Sequence, residues 1–231
     1  MSAMPDTTPL PVTLEQCLRA RHSCRAFLPQ PVPRQTIEKI LTTAQLTASW
    51  CNAQPWRVHL LSGAALERFR AALLQYTESA QPTPDIPWPR EYRNEYLARR
   101  RESGFQLYDA VGIAKGDRAA ALRQARENFR LFGAPHVAII SSDEALGPYG
   151  AVDCGAYVNS FLLAAATEGV ASIPQAALAS HARFLHGELK IAEDRLIVCA
   201  ISFGYEDTAH PANSYRTSRA PLDEVVTWLN D

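Results

Sequence analysis

Residues Val152 to Glu168 constrain the fold of this chain more than any other stretch. Small side chains (Cys154, Gly155, Ala156, Ser160, Ala164, Ala165, Ala166) share it with Val158, Phe161, Leu162 and Leu163, so a helix here carries apolar atoms on nearly every face. Such a helix belongs inside a domain, buried all round. The small residues would also let another helix approach closely, and one candidate is the same helix from a second copy of the chain. Gly169 is placed to end it, and Val170-Ala171-Ser172-Ile173 reads as a short strand delivering Pro174-Gln175-Ala176-Ala177.

Around that helix the pattern alternates. Arg57 to Leu61, ended by Ser62-Gly63, and His136 to Ser141 read as strands, and Arg195 to Phe203 is so continuously apolar that both its faces should be covered. Thr13 is a fitting N-cap for a helix over Leu14 to Ala20. Pro29, Pro31 and Pro33 then break the chain before a helix with Ile37, Ile40, Leu41, Ala44 and Leu46 on one stripe. Ala64 to Tyr76 repeats the pattern with Leu66, Phe69, Leu73, Leu74 and Tyr76. Asp117 to Phe132 does so with Ala121, Leu122, Ala125, Phe129 and Phe132 inward, and Gly133-Ala134-Pro135 ends it. Ser180 to Leu189 and Leu222 to Leu229 read as short helices. Four prolines exclude helix and central strand from Gln81 to Pro89. With no internal repeat or composition shift, residues 1–231 read as one domain of α/β class, a sheet between helical layers.

Charge and cysteine content narrow the partners. The formal net charge of −1 supplies no overall field for nucleic acid or an anionic membrane, so any anion site must be local. Arg90 to Glu102 is rich in arginine, but Glu91, Glu95 and Glu102 interleave, which marks a solvated helix. Cys17, Cys24, Cys51, Cys154 and Cys199 show neither a C-x-x-C pair nor metal-ligand spacing with the histidines, and read as reduced thiols of a cytoplasmic protein. Residues 1–12 read as a flexible lead-in without the features of a signal peptide. The most apolar segment, Phe161 to Ala166, is far shorter than the ~20 residues of a membrane span.

The chemistry concentrates in Arg21-His22-Ser23-Cys24-Arg25, which holds two guanidiniums, an imidazole and a hydroxyl with no acid. Forked N–H donors of that kind match phosphate oxygens. The alternative is that these cations complement the dipole at the end of the preceding helix. Cys24 beside three basic groups has a setting that lowers thiol pKa, and a nucleophilic thiolate is the lesser reading. A second polar cluster, Ser49-Trp50-Cys51-Asn52-Ala53-Gln54, lies between the second helix and the first strand. Ser49 and Asn52 there either cap local structure or meet the edge of a heteroaromatic ring, and Trp56 reads as core. Motifs for serine hydrolases, zinc proteases, P-loop enzymes and Rossmann dinucleotide binding are missing.

Four motifs stand in order: Arg-His-Ser-x-Arg from Arg21, Ser-x-x-Asn-x-Gln-Pro-Trp from Ser49, Pro-Gln-Ala-Ala from Pro174 and Arg-x-x-Arg-Ala-Pro-Leu-Asp from Arg216. Together they resemble the FMN-dependent nitroreductase family over Leu14 to Leu229. Pro87-Trp88-Pro89 and the Asn-Phe-x-x-Phe-Gly-Ala-Pro run at Asn128 to Pro135 are similar to its nitrobenzoate-reductase branch. The resemblance implies a three-layer α/β/α sandwich with a mostly antiparallel sheet, built as an intertwined homodimer whose C-terminal extension, about 210–231, embraces the partner. It implies that Arg21, Ser23, Arg25 and Arg219 hold the FMN phosphate and ribityl chain, with His22 beside them and Arg216 a weaker candidate. Ser49 and Asn52 would reach the flavin, partly from the opposite subunit, and the backbone of Pro174, Gln175 and Ala176 would line the ring near N5. NADH or NADPH would donate electrons, and a nitroaromatic or quinone would accept them in a ping-pong sequence that assigns no side chain a catalytic role. Ala48, where the family usually has proline, and bulky Trp50-Cys51 imply a narrower pocket over the flavin. Two other classes stay open. One is a flavoenzyme of this fold with another reaction, such as dehalogenation, substrate dehydrogenation or flavin fragmentation. The other is a flavin-binding protein without turnover.

Overall fold

Four antiparallel strands, β1 (Arg57–Ser62), β2 (His136–Asp143), β3 (Ala171–Gln175) and β4 (Arg195–Gly204), form one sheet in the order β1-β2-β4-β3 in the computed structural model, which describes residues 13–229. The two most apolar strands are the central ones. On β2, Ala138 and Ile140 face one side while Val137 and Ile139 face the other. On β4, Cys199, Ile201 and Phe203 join the first side, yet Ile197 and Ala200 both lie on the second. A bulge explains this: Ile140 pairs with Cys199 but Ser141 with Ile197, so Val198 is skipped and the alternation is reset.

Helices cover both faces, as the three-layer sandwich requires. On one side α2 (Arg34–Ala44) and α6 (Gly147–Thr167) place Ile37, Ile40, Ala44, Tyr157, Phe161 and Ala165 against the sheet. On the other, α3 (Gly63–Tyr76) and α8 (Ala182–Leu189) contribute Leu66, Phe69, Leu73 and Leu185. Gly150 permits the close approach of α6 to β2, since a Cβ there would stand 2.3 Å from Ser142 Oγ and 2.9 Å from Leu146 Cβ. Trp56 is core as expected, stacked on Tyr157 with its indole N–H donated to Gln45 Oε1.

Several expectations need correction. Within one chain α6 is not buried all round: Val152 is 64% exposed, and Gly155, Ala156 and Asn159 continue an open stripe at helical spacing. The helix begun at Asp117, whose side chain caps it, ends as α5 (Arg118–Arg126). Leu131 and Phe132 then take left-handed conformations, and this turn drops both side chains into the core. Leu122 is exposed rather than inward, as is Leu46 beyond the end of α2. The charge-dense helix is shifted to α4 (Asn94–Ala110) and has no buried residue. β3 continues through Pro174, which an edge strand tolerates, and a short helix α7 (Ala176–Ala179) precedes α8. Leu222 to Leu229 forms no helix beyond a single turn at Leu222–Glu224. Its Leu222, Val225, Trp228 and Leu229 are all exposed, and a short helix without a packing surface is marginal in water. The lead-in at residues 1–12 lies outside the described residues.

Candidate functional site

The basic segment is fixed by both of its neighbours in space. Helix α1 (Leu14–Ala20), closed at its start by a Thr13–Gln16 capping box, ends at Arg21. The chain then runs beside the edge strand β3, where Ser23 and Ser172 form a parallel bridge and the Cys24 N–H donates to Ser172 O. Farther on it pairs with the segment after β4, through Phe27 opposite Glu206, Leu28 N–H to Tyr205 O and Asp207 N–H to Ala26 O. Cys24 and Phe27 pack with Phe132, Ala134 and Ile173 in a small core directly under the segment.

Asn213 joins the two chain ends. It is buried, its Oδ1 accepts the Arg25 N–H at 2.7 Å, and its Nδ2 donates to Ala26 O and Asp207 O, both at 2.9 Å. This brings the following residues onto the basic segment. The result is a cleft of about 450 Å³ in which Arg21, His22, Ser23 and Arg25 face Tyr215, Arg216, Thr217 and Arg219, with Ser103 of α4 at the side. Among the described residues that line it there is no carboxylate. Arg25 donates to Ser23 O and to the Tyr215 hydroxyl, and Arg219 curls onto Thr217 Oγ1 and Ser218 O. Burial, and then the nearby Arg219 charge, lower the pKa of Arg21 from its ordinary value. Guanidiniums from distant parts of the chain thus share one basic hollow, which the helix-dipole alternative does not require. The arrangement suits a phosphomonoester dianion.

The other site residues fall into two groups. Pro174, Gln175 and Ala176 continue the β3 edge just beyond Ser172, with Pro174 and Ala176 exposed along it. The Gln175 side chain turns inward instead, accepting from Ser202 Oγ and donating to Asn128 O, so it ties β3 to β4 and to the turn after α5. Ser49 and Asn52 are not among the residues lining the arginine cleft of the single chain. Ser49 Oγ accepts the Gln54 N–H and Asn52 Oδ1 accepts from Gln54 Nε2, while Asp153 of α6 accepts the Trp50 N–H. Cys51, Asn52 and Gln54 all have positive φ, and the Trp50 ring meets Tyr149 edge-on at 4.2 Å.

Cys24 is not a nucleophile. Its thiol is fully buried and donates to Ala26 O, and burial pushes its pKa up to about 12. His22 lies in the cleft wall with Nε2 3.0 Å from Glu206 Oε1. Asn213 and Tyr215 escaped sequence reasoning because an asparagine and a tyrosine in a polar tail carry no spacing signal.

The family model for the nitroreductase family matches residues 18–205. Nitroreductase NfnB of Mycolicibacterium smegmatis is 35% identical over 224 residues, covering 96% of this chain and 95% of that protein. A 4-nitrobenzoate reductase of a Nocardioides species is 32% identical over 219 residues, covering 93% and 89%. The crystal structure of the FMN-dependent NfnB from Mycobacterium smegmatis in complex with NADPH superimposes with a TM-score of 0.89 at 34% identity, covering 94% of this chain and 97% of that one. Sequence and fold agree over nearly the whole length, and the chain belongs to the nitroreductase family.

Proposed function

We propose that this protein is an FMN-dependent oxidoreductase that uses NADPH or NADH to reduce nitroaromatic or quinone acceptors, working as a homodimer. The observation that carries the reading is the meeting of Arg21 and Arg219 in one cleft with no carboxylate among its described lining residues. Relatives over nearly the full length bear nitroreductase and nitrobenzoate reductase names, and the NfnB structure is of an FMN-dependent enzyme holding NADPH.

Each part of the site then has a task. Arg21, Ser23, Arg25 and Arg219 hold the phosphate and ribityl chain, with His22 packed beside them. The exposed edge at Pro174, Gln175 and Ala176 lines the ring; proline has no N–H and Gln175 pairs with Ala200 of β4, so the outward main-chain donor is that of Ala176. FMN bound there would supply the hydride and electron-transfer chemistry between the nicotinamide and the acceptor, in the ping-pong order proposed. No side-chain acid or base is assigned.

A second copy of the chain completes the assembly in this reading. It covers the open α6 stripe of Val152, Gly155, Ala156 and Asn159 and the apolar tail residues Leu222, Val225 and Trp228. It also brings Ser49 and Asn52 to the flavin held by the other protomer. Among the described residues no helix is long and apolar enough to cross a membrane, and all five cysteines are free, which accords with a cytoplasmic location.

The test is an anaerobic titration of the purified protein with each nicotinamide nucleotide, followed by 4-nitrobenzoate. Yellow protein that bleaches and then regains colour with the acceptor supports the reading; colourless protein that takes up no FMN overturns it. Exposed Trp50, held by Asp153 and Tyr149, favours a second reading, a flavoenzyme of this fold with another reaction. That reading expects bound FMN with negligible nitroaromatic turnover.

A further inference from the structure

Within one protomer, Arg219 sits on a segment held to the earlier part of the chain by few polar contacts. After Tyr215, whose hydroxyl accepts from Arg25, no backbone hydrogen bond joins residues 216–229 to any earlier element among the described residues. The segment forms one turn only, and its large apolar side chains are exposed. Among the described residues, two side-chain hydrogen bonds join it to α4 beyond Arg216. Ser218 Oγ donates to Glu102 Oε1 at 3.0 Å, and Arg99 Nη2 donates to Glu224 Oε2 at 2.8 Å. Arg99 and Glu102 lie nearly one turn apart on α4, and their contacts on the segment fall on either side of Arg219.

This matters because the cleft pushes its own wall away. Arg21 and Arg219 are like charges across the hollow, and like charges repel until an anion lies between them. Within one protomer, residues 216–221 carry no regular secondary structure, so that repulsion would loosen Arg219 and ligand binding would have to reorder it, at an entropic cost. Anchors flanking Arg219 oppose both effects. They also wall a second cavity of about 650 Å³ that shares Ser103, Thr217 and Arg219 with the arginine cleft, so the segment is the partition between the two.

We propose that Arg99 and Glu102 of α4, through Glu224 and Ser218, are positioning residues that hold the Arg219 strap closed and thereby set how firmly the cleft grips the phosphate of its ligand. The proposal rests on the reading of the cleft as the FMN phosphate site. It predicts an effect confined to the phosphate, because nothing in either anchor touches the edge of β3 where the ring would lie.

The experiment measures flavin release from the holoprotein after dilution, followed by the rise of free-flavin fluorescence, with protein carrying FMN and with protein carrying riboflavin. Ser218→Ala and Glu224→Ala should each speed FMN release roughly 2- to 5-fold, the range open to an exposed polar pair, and the double variant about 10-fold. Riboflavin release should stay the same. Arg99→Glu should act like Glu224→Ala, and combining Arg99→Glu with Glu224→Arg should restore slow FMN release, a rescue that mere loss of folding would not give. Unchanged FMN release in the double variant, or equal acceleration for riboflavin, overturns the proposal. Arg219→Ala separates the two levels of inference. If it leaves the FMN-to-riboflavin ratio unchanged, the phosphate reading of the cleft fails; if it collapses the ratio while the anchor variants do not, only the strap fails.

Discussion

A single buried histidine shows how closely protonation and structure are linked in this chain. His136 Nε2 accepts the Val32 N–H at 2.9 Å, so the ring proton resides on Nδ1 and is donated to Ser62 Oγ. Burial lowers its pKa, because the charged ring would lose its solvent. The unfolded chain therefore takes up this proton at a higher pH than the folded one, and the contribution of neutral His136 to stability fades as pH falls through the ordinary histidine range. Denaturant melts between pH 7.5 and 5 should show that loss, and His136→Gln should flatten it. Cys24 and Cys51 make a contrasting pair: one thiol is buried and pushed up to about 12, the other is exposed in its loop. A thiol reagent at pH 8 should reach Cys24 only on unfolding; rapid native labelling of Cys24 would contradict its placement.

At the scale of elements, the proline-rich stretch and α6 carry the sharper predictions. Asp85 Oδ2 accepts both the Ile197 N–H of β4 and a contact from His186 Nε2 at 2.9 Å, and Thr83 N–H donates to Ser180 O, so residues 81–89 are stitched to the sheet end. Burial alone would lower the pKa of His186, but the Asp85 hydrogen bond, the Ile191 carbonyl and the charges of Asp85 and Glu193 outweigh it and raise the value. The stabilisation from this pair is thus complete below the ordinary histidine pKa and lost as pH rises through the raised one, the reverse of His136. Asp85→Asn should remove that component from the pH profile of stability. On α6, Gly150→Ala should cost ~1–3 kcal/mol, since the new Cβ would overlap Ser142 Oγ and Leu146 Cβ. Ala156→Arg, on the open stripe, should leave the fold intact and halve the mass seen in size-exclusion chromatography with light scattering; an unchanged mass would remove α6 from the proposed interface.

For the whole molecule, the parts legible in the sequence are those governed by local pattern. Central strands β2 and β4 announce themselves as nearly unbroken apolar runs, and Thr13 and Asp117 cap their helices as their positions suggest. What escaped was decided over long range. The turn at Leu131 and Phe132 exists because both side chains find a core, and the last segment stays uncoiled because its apolar residues find none in one chain. The nearness of the basic segment to β3 and to the tail depends on Ser172 and Asn213, whose partners lie far away in sequence. That convergence is the central claim, and FMN binding by the Arg21→Ala/Arg219→Ala double variant tests it most directly. With charge-assisted bonds worth ~1.5–3 kcal/mol each, FMN affinity should fall at least about 100-fold while riboflavin affinity is retained. FMN bound as tightly by the double variant as by the parent protein would contradict the account.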